Sequence, residues 1–216
     1  MFTEADQARV AKAVSDAEEL TSGEIVPYVV RQSGRYEAAV WRGAAVWSVL
    51  VLLITMLVHQ FYDGWGLGWL FSGWGVAATV VTAGSLGALI TAFVPPVKRL
   101  MAGPNTLAER VHLRSMRAFV EEEVFLTRDR TGILLFVSLL EHRIEVLGDE
   151  GINAKVSADD WVHVVERIQA GISKNDLADG LIGAIGLCGE LLERKGVEIR
   201  KDDEDELSNR VRFRDE

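Results

Sequence analysis

Asp149 and Glu150, side by side ahead of Gly151, are the carboxylates whose placement comes nearest to a metal-ligand fragment. A calcium ion takes six to eight oxygens, several from carboxylates on one tightly turning loop, and the sequence contains no EF-hand loop. Two neighbouring acids supply a part of such a shell, so a solvated turn is the simpler reading and calcium binding the alternative. Glu24, Glu141 and Glu145 are further acids near expected strand ends. Glu121, Glu122 and Glu123 form a triplet, but consecutive helical residues point about 100° apart and cannot converge on one ion, which leaves a solvated surface.

Other chemistries are poorly served. The four histidines, His59, His112, His142 and His163, have no HExxH or other ligand spacing. Cys188 is the single cysteine, which excludes an intrachain disulfide and a thiolate cluster. Ser22 and Thr131 place hydroxyls beside glycines, but a hydroxyl without an adjacent base is a poor nucleophile. No nucleophile elbow, phosphate-binding glycine loop or dinucleotide fingerprint occurs. The net charge of −9 argues against nucleic acid as a partner, because phosphate binding needs a basic patch.

The elements that must position these groups divide around an apolar block. From Gly43 to Val97 the one formally charged residue is Asp63. The runs Gly43 to Tyr62 and Trp74 to Val94 are each about 20 residues, the length that crosses a bilayer as an α-helix. Helices satisfy their own backbone in lipid, so the expected structure is a transmembrane hairpin. Arg31, Arg35 and Arg42 precede it and Lys98, Arg99 and Arg110 follow it, while Asp63 to Gly73 has no Lys or Arg. This asymmetry predicts a multi-pass protein of the plasma (inner) membrane with both termini cytoplasmic. Trp41, Tyr62, Trp65, Trp69 and Trp74 are expected at the membrane interfaces. Ala77, Gly84, Ala88 and Ala92 form a small-residue stripe for helix packing, against the first helix or in self-association. The first 40 residues are too polar for a cleaved signal peptide.

Around the block, the sequence predicts a helix over 4–20, capped by Thr3 and Asp6, and a strand over 24–31, in which Pro27 points to an edge or a bulge. A long helix opens at Pro104 and reaches about Phe125, with Leu107, Val111, Ala118 and Phe119 inward. The apolar run Gly132 to Leu140 reads as a buried strand, and Arg143 to Leu147 as its antiparallel partner across Glu141-His142. Ser157 with Asp160 caps a helix carrying Trp161, Val164, Val165, Ile168 and Ile172. A last helix over 177–196 bears Gly180, Gly183, Gly186 and Gly189, which calls for close backbone approach, by tight packing on the sheet or by docking on a partner or on the hairpin. The acidic run Asp202 to Glu206 reads as a solvated, disordered tail.

With these residues in place, TSGEIVPYVV (Thr21 to Val30), Ala118-Phe119, and TGILLFVSLLEHRIEVLGDEGI (Thr131 to Ile152) with the Trp161 helix resemble the TPM domain family. That family is known from thylakoid-lumen, photosystem-repair and nematode receptor-associated proteins. The chain looks like its bacterial membrane-protein branch. The resemblance implies an α/β fold, a small mixed sheet sandwiched by helices, with the two-helix transmembrane hairpin inserted after the first strand. It also implies assembly or repair of membrane complexes, and weak acid phosphatase activity and calcium binding in some members. Where those members place acidic, Gly-rich segments, this chain has QSGRYEAAVWRG, with Glu37 as its one acid.

The expected organisation is therefore a first part of a TPM-like domain (1–42), the hairpin (43–97), a second part (98–196) and the acidic tail (197–216). The expected function is that of a membrane-anchored, non-catalytic interaction and assembly module without a cofactor. Its partners would be the lipid bilayer and another membrane protein or complex, with homo-oligomerisation left open. The alternative is a membrane-tethered acid phosphatase or calcium-binding hydrolase.

Overall fold

The computed structural model describes residues 3–61, 68–197 and 206–215. In chain order the helices are α1 (Glu4–Glu18), α2 (Glu37–Phe61), α3 (Gly73–Phe93), α4 (Pro95–Ala102), α5 (Pro104–Glu121), α6 (Glu150–Asn153), α7 (Val162–Ser173) and α8 (Leu177–Arg194). The strands are β1 (Glu24–Val30), β2 (Gly132–Ser138), β3 (Arg143–Gly148) and β4 (Arg212–Arg214), and a 3-10 turn spans Ala158–Trp161. The chain forms two compact units, one of residues up to Gly34 and from Glu109 onward, the other Arg35–Ala108.

The first unit is a mixed α/β layer structure. Its sheet has the order β3-β2-β1-β4, with β1 parallel to both β2 and β4, and β2 antiparallel to β3. Successive side chains alternate between faces. Ile25, Val29, Ile133, Leu135 and Val137 therefore pack with α1, α7 and α8. Val26, Tyr28, Val30, Leu134 and Phe136 pack with Val111 and Ala118 of α5 on the other side. Both faces are covered, which is why β1 and β2 are buried at every position.

Pro27 lies in this central strand without a bulge, opposite Leu135. Glu24 N donates to Thr131 O on the β2 side and Arg31 N to Arg214 O on the β4 side. Alternation puts the Pro27 nitrogen on the β4 side, where pairing begins only at Tyr28. The missing donor falls where no strand asks for it.

Three expectations are corrected. The β2–β3 connection is Leu139–His142 and not two residues, because Leu139 N and Leu140 N donate to Val30 O and Arg31 O and stay with β1; His142 closes the loop at φ 52°. The tail is not wholly a solvated extension, since its described part supplies β4. Glu206 and Leu207 dock through their N–H groups on the Glu24 carboxylate at 3.2 and 3.3 Å, and residues 198–205 lie outside the described residues. The glycines of α8 answer to different neighbours. A Cβ on Gly180 would stand 3.0 Å from Gly171 Cα of α7 and one on Gly189 3.1 Å from the Ala17 side chain of α1, whereas Gly186 faces open space.

In the second unit, α2 and α3 are long and apolar enough to cross a membrane, with mean hydropathy of 2.0 and 1.8 over their best windows. Thr55, Thr79, Ser85 and Thr91 turn their hydroxyls onto carbonyls of the preceding turn, so no polar group is left open in these helices on their account. The helix α4 starts on Pro95 and Pro96, where a missing N–H costs nothing. Its C-terminal carbonyls, Met101 O and Ala102 O, accept from the Arg42 guanidinium at 3.1 Å each.

Candidate functional site

The strands β1 and β2 end together, with Val30 opposite Ser138. The C-terminal ends of parallel strands are where α/β sheets place ligands. Just beyond them the Ser33 and Ser138 hydroxyls lie 2.6 Å apart. Ser138 Oγ donates to Glu141 Oε2 in a short hydrogen bond, and Ser33 N donates to Glu141 Oε1 at 2.9 Å. A hydroxyl has one proton to give, so with Ser138 committed to the carboxylate, Ser33 donates to Ser138. The result is a proton path from Ser33 through Ser138 to Glu141. All three residues are buried, at 7%, 0% and 4% exposure.

Ser33 also borders a cleft of about 590 Å³, lined further by Tyr28, Gly34, Arg114, Arg117, Glu121, Glu122 and Arg214. The inward turn of α5 brings Arg114 Nη2 to the Tyr28 hydroxyl at 2.6 Å, with the guanidinium 5.2 Å from the ring centroid. Glu121 is shared by Arg114 and Arg117, at 3.3 and 2.7 Å. Glu122 is shared by Arg212 and Arg214, at 3.0 and 3.6 Å. Among the described residues three guanidiniums, Arg114, Arg117 and Arg214, line the cleft with two carboxylates, so its lining is locally cationic in a chain of net charge −9. Such a site suits an oxyanion, whose geometry guanidinium forks match.

The solvated-surface reading holds for Glu121 and Glu123, which are exposed, and is corrected for Glu122, which is half-buried between its two arginines. Glu122 folds into the cleft because β4 delivers Arg212 and Arg214 beside the end of α5, a contact that no local sequence pattern announces.

Asp149 and Glu150 lie at the other end of the sheet. Asp149 is not a solvated turn residue: it is 6% exposed and is the N-cap of α6, its Oδ1 accepting from Glu150 N at 2.8 Å. Arg130 covers it, with Nη2 2.9 Å from Oδ1 and Nε 2.7 Å from Oδ2. Its own N–H donates to Gly132 O, which anchors it beside the start of β2. Glu150 is exposed in the first turn of α6. Among the described residues no group of three or more His, Cys, Asp or Glu is arranged to hold a metal ion. Glu145 accepts from the Ser115 hydroxyl at 2.6 Å and meets His112 Nδ1 at 3.2 Å. Thr131 donates its hydroxyl proton to Ser22 O at 2.7 Å.

Within the hairpin, Trp41, Trp69 and Trp74 are exposed, while Tyr62 and Trp65 lie outside the described residues. Of the four small residues expected to pack, Gly84 is buried, Ala88 and Ala92 are half-buried and Ala77 is exposed. The α2–α3 seam is set by three close approaches. A Cβ on Gly84 would fall 2.4 Å from Ser48 Oγ, one on Gly87 2.6 Å from Trp47 Cβ, and one on Gly43 2.0 Å from Thr91 Oγ1.

Sequence reasoning passed over Ser33, Ser138 and the arginines of the cleft. The signal available was a serine at the C-terminal end of each parallel strand, Ser138 as the last residue of β2 and Ser33 three residues past β1, where such strands carry ligands.

No family model matches the chain, and no curated protein does. Among solved structures it is similar to the NMR structure of the BA42 protein from the psychrophilic bacterium Bizionia argentinensis, with a TM-score of 0.58 and 20% sequence identity. The match covers 98% of this chain and 94% of that one, and at this identity it is a likeness of fold.

Proposed function

We propose that this chain is a membrane-anchored interaction module of TPM type, holding its α/β unit at the cytoplasmic face of the inner membrane to assemble with another membrane protein. The observation that carries the reading is the pair α2 and α3. Two helices of bilayer-spanning length, with Leu50, Leu53, Leu57, Leu86 and Leu89 exposed, are spliced between β1 and α5. The α/β unit is thus tied to the anchor through both of its halves. The TPM-like pattern supports the assignment, since its best segments are the adjacent strands β1, β2 and β3. Non-catalytic action without a cofactor is supported by the pairing of the candidate acids, Asp149 with Arg130 and Glu121 and Glu122 with arginines.

Carbonate extraction of membranes and cross-linking in place test this reading. Retention in the carbonate-resistant pellet and a discrete cross-linked adduct support it; release at high pH, or a chain that never cross-links, overturns it.

A second reading, phosphate-ester hydrolysis, is favoured by one arrangement, the Ser33–Ser138–Glu141 path opening on the arginine cleft. Ser33 Oγ would attack phosphorus as the bond to the ester's alkoxide or aryloxide breaks, its proton passing to Ser138 as that of Ser138 passes to Glu141; the leaving oxygen takes a proton from solvent, and water then cleaves the phosphoserine to inorganic phosphate and free Ser33. The arginines would hold the phosphoryl oxygens. Turnover of an aryl phosphate by the full chain, lost in Ser33→Ala with the fold preserved, would establish it in place of the non-catalytic module. Absence of turnover would remove it.

A further inference from the structure

One face of α5 is buried on the sheet, through Val111, Ser115 and Ala118. The opposite face presents Leu113, Met116 and Val120 at 55%, 49% and 60% exposure. Their spacing of three and four residues aligns them in one stripe, and Leu126, just past the helix, is exposed as well. By helical rotation Arg110 and Arg117, both exposed, flank the stripe on one side and His112 on the other, while the exposed Glu109 stands in line with it, one turn before Leu113. An apolar stripe with arginines at its border is the pattern of a helix that rests in the headgroup region of a bilayer.

Chain continuity selects that occupant. Only Val94, the eight-residue α4 and Gly103 separate the end of α3 from the start of α5. Leu113 follows about 14 Å further along the axis at 1.5 Å per residue. The intervening Lys98 and Arg99 are the cations that the positive-inside pattern places at the cytoplasmic leaflet, whose lipids are anionic. We infer that the Leu113–Met116–Val120 face of α5 is a membrane-contact surface that binds anionic phospholipid. The inference rests on the membrane-anchored reading above. It adds that the α/β unit is fastened to the bilayer surface by a second, peripheral contact.

The test uses the full chain in vesicles of phosphatidylglycerol and phosphatidylcholine in equal parts, with an environment-sensitive fluorophore on Met116→Cys. The native Cys188 is fully buried and burial pushes its thiol pKa up, so it does not compete for label. Labels on Leu53→Cys in α2 and on Lys174→Cys, exposed at the α7–α8 turn, serve as references. The expected result is a blue shift and strong quenching by headgroup-proximal nitroxide lipid at position 116, little at 174, and a loss of the effect at 116 in Arg110→Glu with Arg117→Glu or in pure phosphatidylcholine. Quenching at 53 by acyl-chain nitroxide with position 116 no different from 174 overturns this inference alone. Absence of quenching at 53 overturns the membrane reading beneath it. Protection of position 116 that persists in lipid-free detergent and grows with protein concentration assigns the face to a second copy and overturns the lipid contact.

Discussion

The hydroxyls of Ser33 and Ser138 stand 2.6 Å apart where β1 and β2 end side by side, and Ser138 Oγ donates a hydrogen bond to the buried Glu141. Removing Ser138 takes this donor from a carboxylate that is only 4% exposed. Ser138→Ala is expected to destabilise the α/β unit by about 1–3 kcal/mol, the range for an unsatisfied buried polar group. Thermal or denaturant unfolding of the purified chain measures it, and an unchanged midpoint would contradict the pairing.

Asp149 and Glu150 should respond differently although they are neighbours. Asp149→Ala removes the N-cap of α6 and the partner of Arg130, with an expected loss of about 1–2 kcal/mol. Glu150→Gln alters an exposed position and should stay within about 0.5 kcal/mol. Equal effects of the two substitutions in the same unfolding experiment would refute the contrast.

Two glycines test packing with opposite signs. Gly186 sits in α8 with open space where a Cβ would be, so Gly186→Ala should gain up to about 1 kcal/mol from helix propensity. Gly84→Leu must displace Ser48 from the α2–α3 seam, and overpacking of that kind costs about 1–3 kcal/mol. Its readout is the thermal stability of the hairpin in detergent; a tolerant hairpin would mean the seam lies elsewhere.

Asp160 carries a pH dependence. The Lys195 ammonium at 2.7 Å, then the Ser157 hydroxyl and N–H, hold its carboxyl well below its ordinary value of 3.8. A depressed folded pKa stabilises the native state fully above the ordinary value, and the gain is lost as pH falls below it toward the folded pKa. The stability difference between the wild type and Asp160→Asn should therefore be constant at neutral pH and shrink below about pH 4. A difference that stays level across that range would dissociate Asp160 from the cap.

Legibility in the sequence followed how local each signal is. The runs of β1 and β2 are readable because strands covered on both faces must be apolar throughout, as Ile25–Val30 and Gly132–Val137 are. The strand β4 is not, since three residues with Phe213 as their one apolar side chain carry no period. The lengths of α2 and α3 follow from hydropathy, but hydropathy does not encode their rotation, so a stripe through Ala77 was expected where the seam runs through Gly84, Gly87 and Thr91. Ser33 and Ser138 are 105 residues apart and meet only through parallel register. The cleft arginines come from α5 and β4, and only the folded sheet assembles them.

The central claim is that α2 and α3 form an anchor holding the α/β unit in the cytoplasm, and labelling from one side tests it most directly. Gly68 lies in the connection between the helices with open space around it, so Gly68→Cys should be tolerated, and the buried Cys188 stays silent. A membrane-impermeant maleimide applied to spheroplasts is predicted to label Gly68→Cys from outside and to leave Lys174→Cys unlabelled until the membrane is opened. Labelling of Lys174→Cys in intact spheroplasts with Gly68→Cys protected, or simultaneous labelling of both, would contradict the account.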